Sequence, residues 1–107
     1  AEDPAHHFRP CPGVIEEIHL PGGNGVRIDT AAYNGYEIPP FYDSMIAKVI
    51  VHGRTRQEAI DKMRSTLGEL IIDGVTTNVD FQYEILDNED FQAGEITTDF
   101  IPMHFNL

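Results

Sequence analysis

The sequence predicts an α+β domain: antiparallel β-hairpins or a small sheet packed with two to three helices. Three observations carry that expectation. β-branched stretches divided by glycine-rich turns fill the first half, a capped amphipathic segment occupies the middle, and shorter apolar-periodic segments close the chain. At 107 residues the chain has the size of one domain, residues 1–107, since compact domains usually run ~50–250 residues.

Pro4, Pro10 and Pro12 remove backbone donors, so residues 1–13 read as an extended lead-in rather than a helix or a central strand. "VIEEIHL" (14–20) and "GVRIDT" (25–30) read as two strands joined by "PGGNG" in a hairpin. In the first strand Val14, Glu16, Ile18 and Leu20 share a mainly apolar face, with Ile15, Glu17 and His19 on the wetter one. After "NGYEIPP", the run "FYDSMIAKVIVHG" (41–53) holds Val49, Ile50 and Val51 in succession before Gly53, which favours a buried strand over a short buried helix.

"TRQEAIDKMRSTLGEL" is the clearest element. Thr55 and Glu58 stand at capping-box spacing, and Ile60, Met63, Leu67, Leu70 and Ile71 recur at threes and fours as one apolar stripe. Glu58 and Lys62 are spaced for an exposed ion pair, and Gly68 is expected to permit close approach of another backbone. "IIDGVTTN" adds a short apolar stretch and a turn. A second helix follows through Val79, Tyr83 and Leu86, capped by Thr77 or Asn78, and a last helical turn starts near Thr97 or Thr98.

Composition narrows the function classes. Eighteen acidic against seven basic residues leave a net charge of -11, which repels nucleic acid and anionic membrane surfaces. No stretch approaches the ~20 apolar residues needed to span a bilayer. Cys11 is the one cysteine, so a disulfide framework is excluded and a reducing, cytosolic setting is expected.

Motifs with chemical content are few. "GGNG" lacks the lysine and hydroxyl of a phosphate loop and the spacing of a dinucleotide loop, so turn chemistry explains it better. The five histidines show no metal-ligand spacing, and no native metal site is expected. Cys11 between two prolines reads as an inert small residue rather than a nucleophile. Asp43 and Ser44 interrupt an apolar run, and a carboxylate there calls for a partner, for which Arg27 and Lys48 are candidates.

Taken together and in order, "AEDP", "F-x-P-C-P-G-x-I", "PGG-x-GVR-x-D", "I-P-P-F-Y-D-S-M-I-A-K-V-I", "R-x-x-A-I-x-x-M", "E-L-I-I-x-G-V-x-T-N" and "F-x-x-G-x-x-x-T-x-F-I" resemble the C-terminal domain of biotin carboxylases. The likeness spans the whole chain and is nearest to the bacterial acetyl-CoA carboxylase component. It implies that Ala1 is a boundary inside a longer protein, because in the family "AEDP" follows a segment ending Arg-Ile-Asn, whose arginine faces the biotin ureido ring. The N-terminal and ATP-grasp domains, which carry the remaining catalytic groups, would also precede it.

The parent enzyme so implied uses ATP, magnesium and bicarbonate to carboxylate biotin on its carrier protein, the first half-reaction of acetyl-CoA carboxylase in fatty acid synthesis. The chain alone is then expected to bind no cofactor and to be catalytically silent. Its partners would be the remaining domains, the biotin carboxyl carrier protein and a second biotin carboxylase subunit. Carried over by position, Asp43 is the candidate for ordering the preceding arginine, Thr98 for the adenine edge of the ATP pocket, and Asn24 and Arg27 for the dimer surface.

Two departures stand out. Pro-Cys-Pro-Gly replaces the family's common Pro-Ser-Pro-Gly and adds an oxidisable thiol. Asn24 stands where some dimeric members have an aromatic residue, and at ~25 cal/mol per Å2 the lost apolar area weakens a dimer. The rival reading is a stand-alone acidic module that binds a protein partner through its sheet and hairpins. The final acyl acceptor, acetyl-CoA or another such as pyruvate, is not encoded in these motifs.

Overall fold

The structure is a computed structural model that describes residues 1–41 and 43–105. In chain order it runs β1 (Glu2–Asp3), a 3-10 turn (Pro4–His6), β2 (Arg9–Pro10), β3 (Gly13–Val14), β4 (Glu17–His19), β5 (Val26–Thr30) and β6 (Glu37–Ile38). It continues through β7 (Ala47–Val51), α1 (Arg56–Glu69), β8 (Ile71–Asp73), α2 (Val79–Asp87), α3 (Glu89–Gln92) and α4 (Phe100–Phe105). The α+β expectation holds.

The expected hairpin does not form. Among the described residues the strands pair as antiparallel ladders β1–β2, β3–β6, β4–β8 and β5–β7. β5 finds β7, with Val26 opposite Val51, Ile28 opposite Val49 and Thr30 opposite Ala47, so one face of the pair carries the side chains turned inward. β4 instead takes β8, with Ile18 opposite Ile72. Cross-strand matching of apolar faces outweighs nearness in sequence, and "PGGNG" becomes a connection between two ladders.

The stretch 14–20 is also not one strand. It breaks between β3 and β4, which shifts the alternation, so Ile15 is fully buried while Val14 is 48 % exposed. Ile15 and Ile18 both turn inward, three residues apart, and the face assignment read from strict alternation fails there. The strand predicted within 41–53 shortens to β7; Tyr42 of that stretch lies outside the described residues.

α1 begins as its cap requires. Thr55 Oγ1 accepts from the Glu58 N–H at 3.1 Å, and Ile60 and Leu67 are buried on its inner face. Ile71 leaves the predicted stripe, because the helix ends at Glu69 and Ile71 enters β8. Lys62 is drawn from the expected Glu58 pair to the His52 carbonyl, which its Nζ reaches at 2.8 Å. Gly68 meets nothing within 4 Å; close approach occurs elsewhere, most tightly at Gly74, where φ is +103° and an added Cβ would land on the Val14 carbonyl oxygen.

The end of the chain holds one helix beyond the expected pair. Asn88 Oδ1 accepts from the N–H groups of Asp90 and Phe91 at 2.9 and 3.1 Å and starts α3. α2 does begin at Asn78, but without a side-chain cap bond; Thr77 Oγ1 accepts from Val79 N–H at 3.4 Å. α4 starts at Phe100, whose N–H donates to Thr97 O at 3.1 Å.

The buried cluster of Ala1, Ile15 and Ile38 is surrounded by Cys11, Ile18, Tyr36, Ile46 and Ile72. A second apolar cluster joins α2 and α4 to the segment before β2, where Phe8, Phe81 and Phe105 stack edge-on at 5.0 and 5.2 Å. Among the described residues no helix is long and apolar enough to cross a membrane.

Candidate functional site

A groove of about 770 Å3 is lined by residues as far apart in sequence as Ala1 and Ile101. Its lining includes Ala1, Asp43 and Ser44, the residues Thr97, Phe100 and Ile101, and largely apolar side chains of β7, α1 and α2. Ala1 nitrogen donates to Ser44 O at 2.8 Å, which fixes the first residue against the segment leading into β7.

Asp43 also lines a second cleft of about 460 Å3, between this segment and Thr30, Tyr36 and Lys48. Its side chain folds onto the local backbone, Oδ1 accepting from Met45 N–H at 3.1 Å. Neither expected cation serves it. Arg27 is held in a fork by Asp29, with nitrogen–oxygen distances of 2.9 and 2.8 Å, and Lys48 stands opposite Asp29 in the ladder. Arg27 meets Asp29 because residues two apart on β5 share a face, and the β5–β7 register brings Lys48 to the same carboxylate. Asp43 therefore presents an exposed carboxylate at the rim of both clefts.

Thr98 is exposed in the turn before α4, and its neighbours Ile96 and Thr97 line the groove. Thr97 Oγ1 donates to Asp99 Oδ1, which stiffens that turn. Asn24 and Arg27 lie at the far end of the β5–β7 ladder from Asp43, since Val26 pairs with Val51 whereas Asp43 precedes Ala47. They are exposed and separate from the groove. The loop carrying Asn24 is tied down through Gly25, whose carbonyl accepts from His52 N–H at 2.8 Å.

Two further groups escaped sequence reasoning. His104 bonds Asp90 with Nε2 at 2.8 Å, and Arg56 donates to Phe91 O at 2.6 Å. Both partners sit on α3, the helix the sequence reading missed; the signal available was Asn88 followed by two acidic residues, an N-cap pattern. Among the described residues no three His, Cys, Asp or Glu side chains converge as metal ligands. The donor set here does not fit a magnesium cage, and no metal-dependent step is assigned to these residues. Cys11 is half-buried beside the core and its N–H donates to Ala1 O at 2.9 Å.

Residues 1–103 match the family model described as the biotin carboxylase C-terminal domain. Biotin carboxylase 1 of Bacillus subtilis is 52 % identical over 101 residues, covering 94 % of this chain and 22 % of that protein. A pyruvate carboxylase subunit of Methanothermobacter thermautotrophicus is also 52 % identical over 101 residues, covering 94 % of the chain and 21 % of that protein. The biotin carboxylase domain dimer of Hydrogenobacter thermophilus 2-oxoglutarate carboxylase, solved with MgADP, ADP and bicarbonate, superposes with a TM-score of 0.95 at 43 % identity. That match covers 97 % of this chain and 23 % of the solved one.

The chain belongs to the biotin carboxylase C-terminal domain family. It spans about a fifth of the length of these relatives, at 22 % and 21 %.

Proposed function

We propose that this chain is the C-terminal domain of a biotin carboxylase, one domain over residues 1–107, which walls an active site where ATP and bicarbonate carboxylate biotin. The carrying observation is the bond from Ala1 nitrogen to Ser44 O, at 2.8 Å. It brings the start of the chain beside the Asp43 carboxylate at the groove rim. An arginine a few residues upstream would emerge there, and a carboxylate already held by Met45 N–H could fix its guanidinium by charge-assisted bonds.

In this reading Asp43 is a positioning residue. The arginine it orients stabilises negative charge developing on the biotin ring, and such preorganised charge is among the largest contributions an active site makes. Thr98, on the turn stiffened by Thr97 and Asp99, contributes to the adenine edge of the ATP pocket. Magnesium, bicarbonate and the ATP phosphates are assigned to the upstream domains, in keeping with a related solved enzyme described with MgADP and bicarbonate.

Asn24 and Arg27 belong to the surface facing a second copy of the enzyme, in keeping with a related structure described as a dimer. The carrier protein bearing biotin is the remaining partner, in a reducing cytosol compatible with the unpaired Cys11. Acetyl-CoA is the proposed final acceptor, although relatives are named for pyruvate and 2-oxoglutarate carboxylation. The family match favours this reading over a stand-alone acidic binding module.

The test is Asp43→Ala in a polypeptide that includes the upstream domains. Loss of a charge-assisted bond should lower kcat by roughly 10- to 100-fold, with KM for ATP little changed and Asp43→Glu restoring part of the rate. Unchanged kcat would remove Asp43 from the site. A parallel rise in KM for ATP would make its role one of nucleotide binding.

A further inference from the structure

α4 is a six-residue helix, too short to be stable by itself, and it depends on what fastens it. Phe100 anchors its start in the core, with its ring 6.1 Å from that of Phe91 on α3. The polar fastening is His104, one turn later. Its Nε2 lies 2.8 Å from Asp90 Oδ2 on α3, and its Nδ1 lies 3.0 Å from Phe100 O. The ring stacks on Phe100 with centroids 4.2 Å apart and planes at 21°, leaving the side chain 23 % exposed.

Both of those partners are acceptors. A carboxylate at neutral pH has no proton to give, and a backbone carbonyl never has one. Neutral imidazole carries a single N–H and can satisfy one partner; imidazolium carries two and satisfies both. We propose that His104 is a protonation-dependent latch that fastens α4 to α3 and thereby sets the turn 97–99 beside the groove.

The surroundings leave Asp90 as the opposing charge. α2 meets α4 through Phe81 against Phe105, an apolar contact. α1 reaches this region through Arg56, whose guanidinium is committed to Phe91 O at 2.6 Å and to the Phe91 ring. Asp99, at the start of α4, is engaged with Thr97. The Asp90 hydrogen bond, then the Phe100 carbonyl, raise the His104 pKa above its ordinary value, against a smaller effect of desolvation.

The sign follows from linkage. A raised histidine pKa means that the latched fold prefers the proton, so the fastening is complete below the ordinary value near ~6.5 and is lost as pH rises through the raised one. Because Ile96 and Thr97 line the groove, release of α4 alters the groove's lining as well as the helix. The latch stands on the geometry of this chain and does not depend on the enzymatic reading.

The test is a pH titration of the chain by NMR, following the His104 ring nitrogens and the amide protection factors of Met103–Phe105. The expected result is a His104 midpoint above the ordinary value, both ring nitrogens protonated below it, and α4 protection falling roughly two- to fivefold across it, the range an exposed ion pair supports. Asp90→Asn should lower the midpoint, and both Asp90→Asn and His104→Gln should abolish the pH step in α4 while α1 protection persists. A midpoint indifferent to Asp90→Asn, or α4 protection flat through the wild-type titration, overturns the latch. Should His104→Gln fail to fold, the wild-type and Asp90→Asn titrations decide the question alone.

Discussion

Ala1 nitrogen and Ser44 oxygen, 43 positions apart in sequence, are joined by a hydrogen bond of 2.8 Å. The bond draws Ala1 into the buried cluster with Ile15 and Ile38, and it leaves Asp43, next to Ser44, on the lining of the same groove. Core and candidate site thus share one contact. Disturbing the cluster should be felt at the groove.

Ile15→Ala tests that cluster. Ile15 is fully buried, and removing its side chain leaves a cavity whose neighbours relax only in part. The expected loss is about 2–5 kcal/mol, read from urea unfolding, with Val14→Ala, at 48 % exposure, costing far less.

Thr55→Ala tests the start of α1. The Thr55 hydroxyl satisfies the Glu58 N–H, which the helix itself leaves without a partner. A loss of about 1 kcal/mol is expected on chemical denaturation, and Thr55→Ser should recover most of it.

Two glycines should respond oppositely to alanine. Gly74→Ala puts a Cβ onto the Val14 carbonyl at a left-handed backbone position, so a loss of more than about 2 kcal/mol or failure to fold is expected. Gly68→Ala sits inside α1 with nothing within 4 Å and should stabilise the domain by roughly 0.5–1 kcal/mol. Equal effects at the two positions would contradict the packing described.

The Arg27–Asp29 fork makes a pH prediction. The Arg27 hydrogen bond holds the Asp29 carboxyl below its ordinary value, aided by the charges of Arg27 and Lys48 and opposed by desolvation. A lowered carboxylate pKa means the pair's contribution is present above the ordinary value of 3.8 and is lost as pH falls through the lowered one. Carbon-13 NMR of the Asp29 carboxyl should show the depressed midpoint, and Arg27→Gln should return it toward normal.

What the sequence disclosed was local. The α1 cap was legible because Thr55 and Glu58 interact at fixed spacing, and the order of strands and helices followed from turn residues and periodicity. Pairing was not legible. "PGGNG" carries hairpin chemistry, yet Val26 and Ile28 found Val51 and Val49 on a distant strand, a choice made by matching faces rather than by the loop.

The site divides in the same way. Asp43 was visible as a charge inside an apolar run, and the family motif named its place. Its lack of a cationic partner was not visible: Arg27 folds onto Asp29 two residues along the same strand, and the register of β5 against β7 sets Lys48 opposite Asp29 as well. His104 and Asp90 were missed for a related reason: 14 residues apart, they meet only once Asn88 starts α3 and α3 packs against α4.

The decisive experiment for the biotin carboxylase reading is to express this chain in one polypeptide with the coding region upstream of Ala1 and measure ADP release in the presence of ATP, magnesium, bicarbonate and biotin. The expected result is ADP release that requires both bicarbonate and biotin, and none from residues 1–107 alone. Absence of biotin-dependent turnover in the longer, folded polypeptide, or turnover that persists when residues 1–107 are deleted, would contradict that reading.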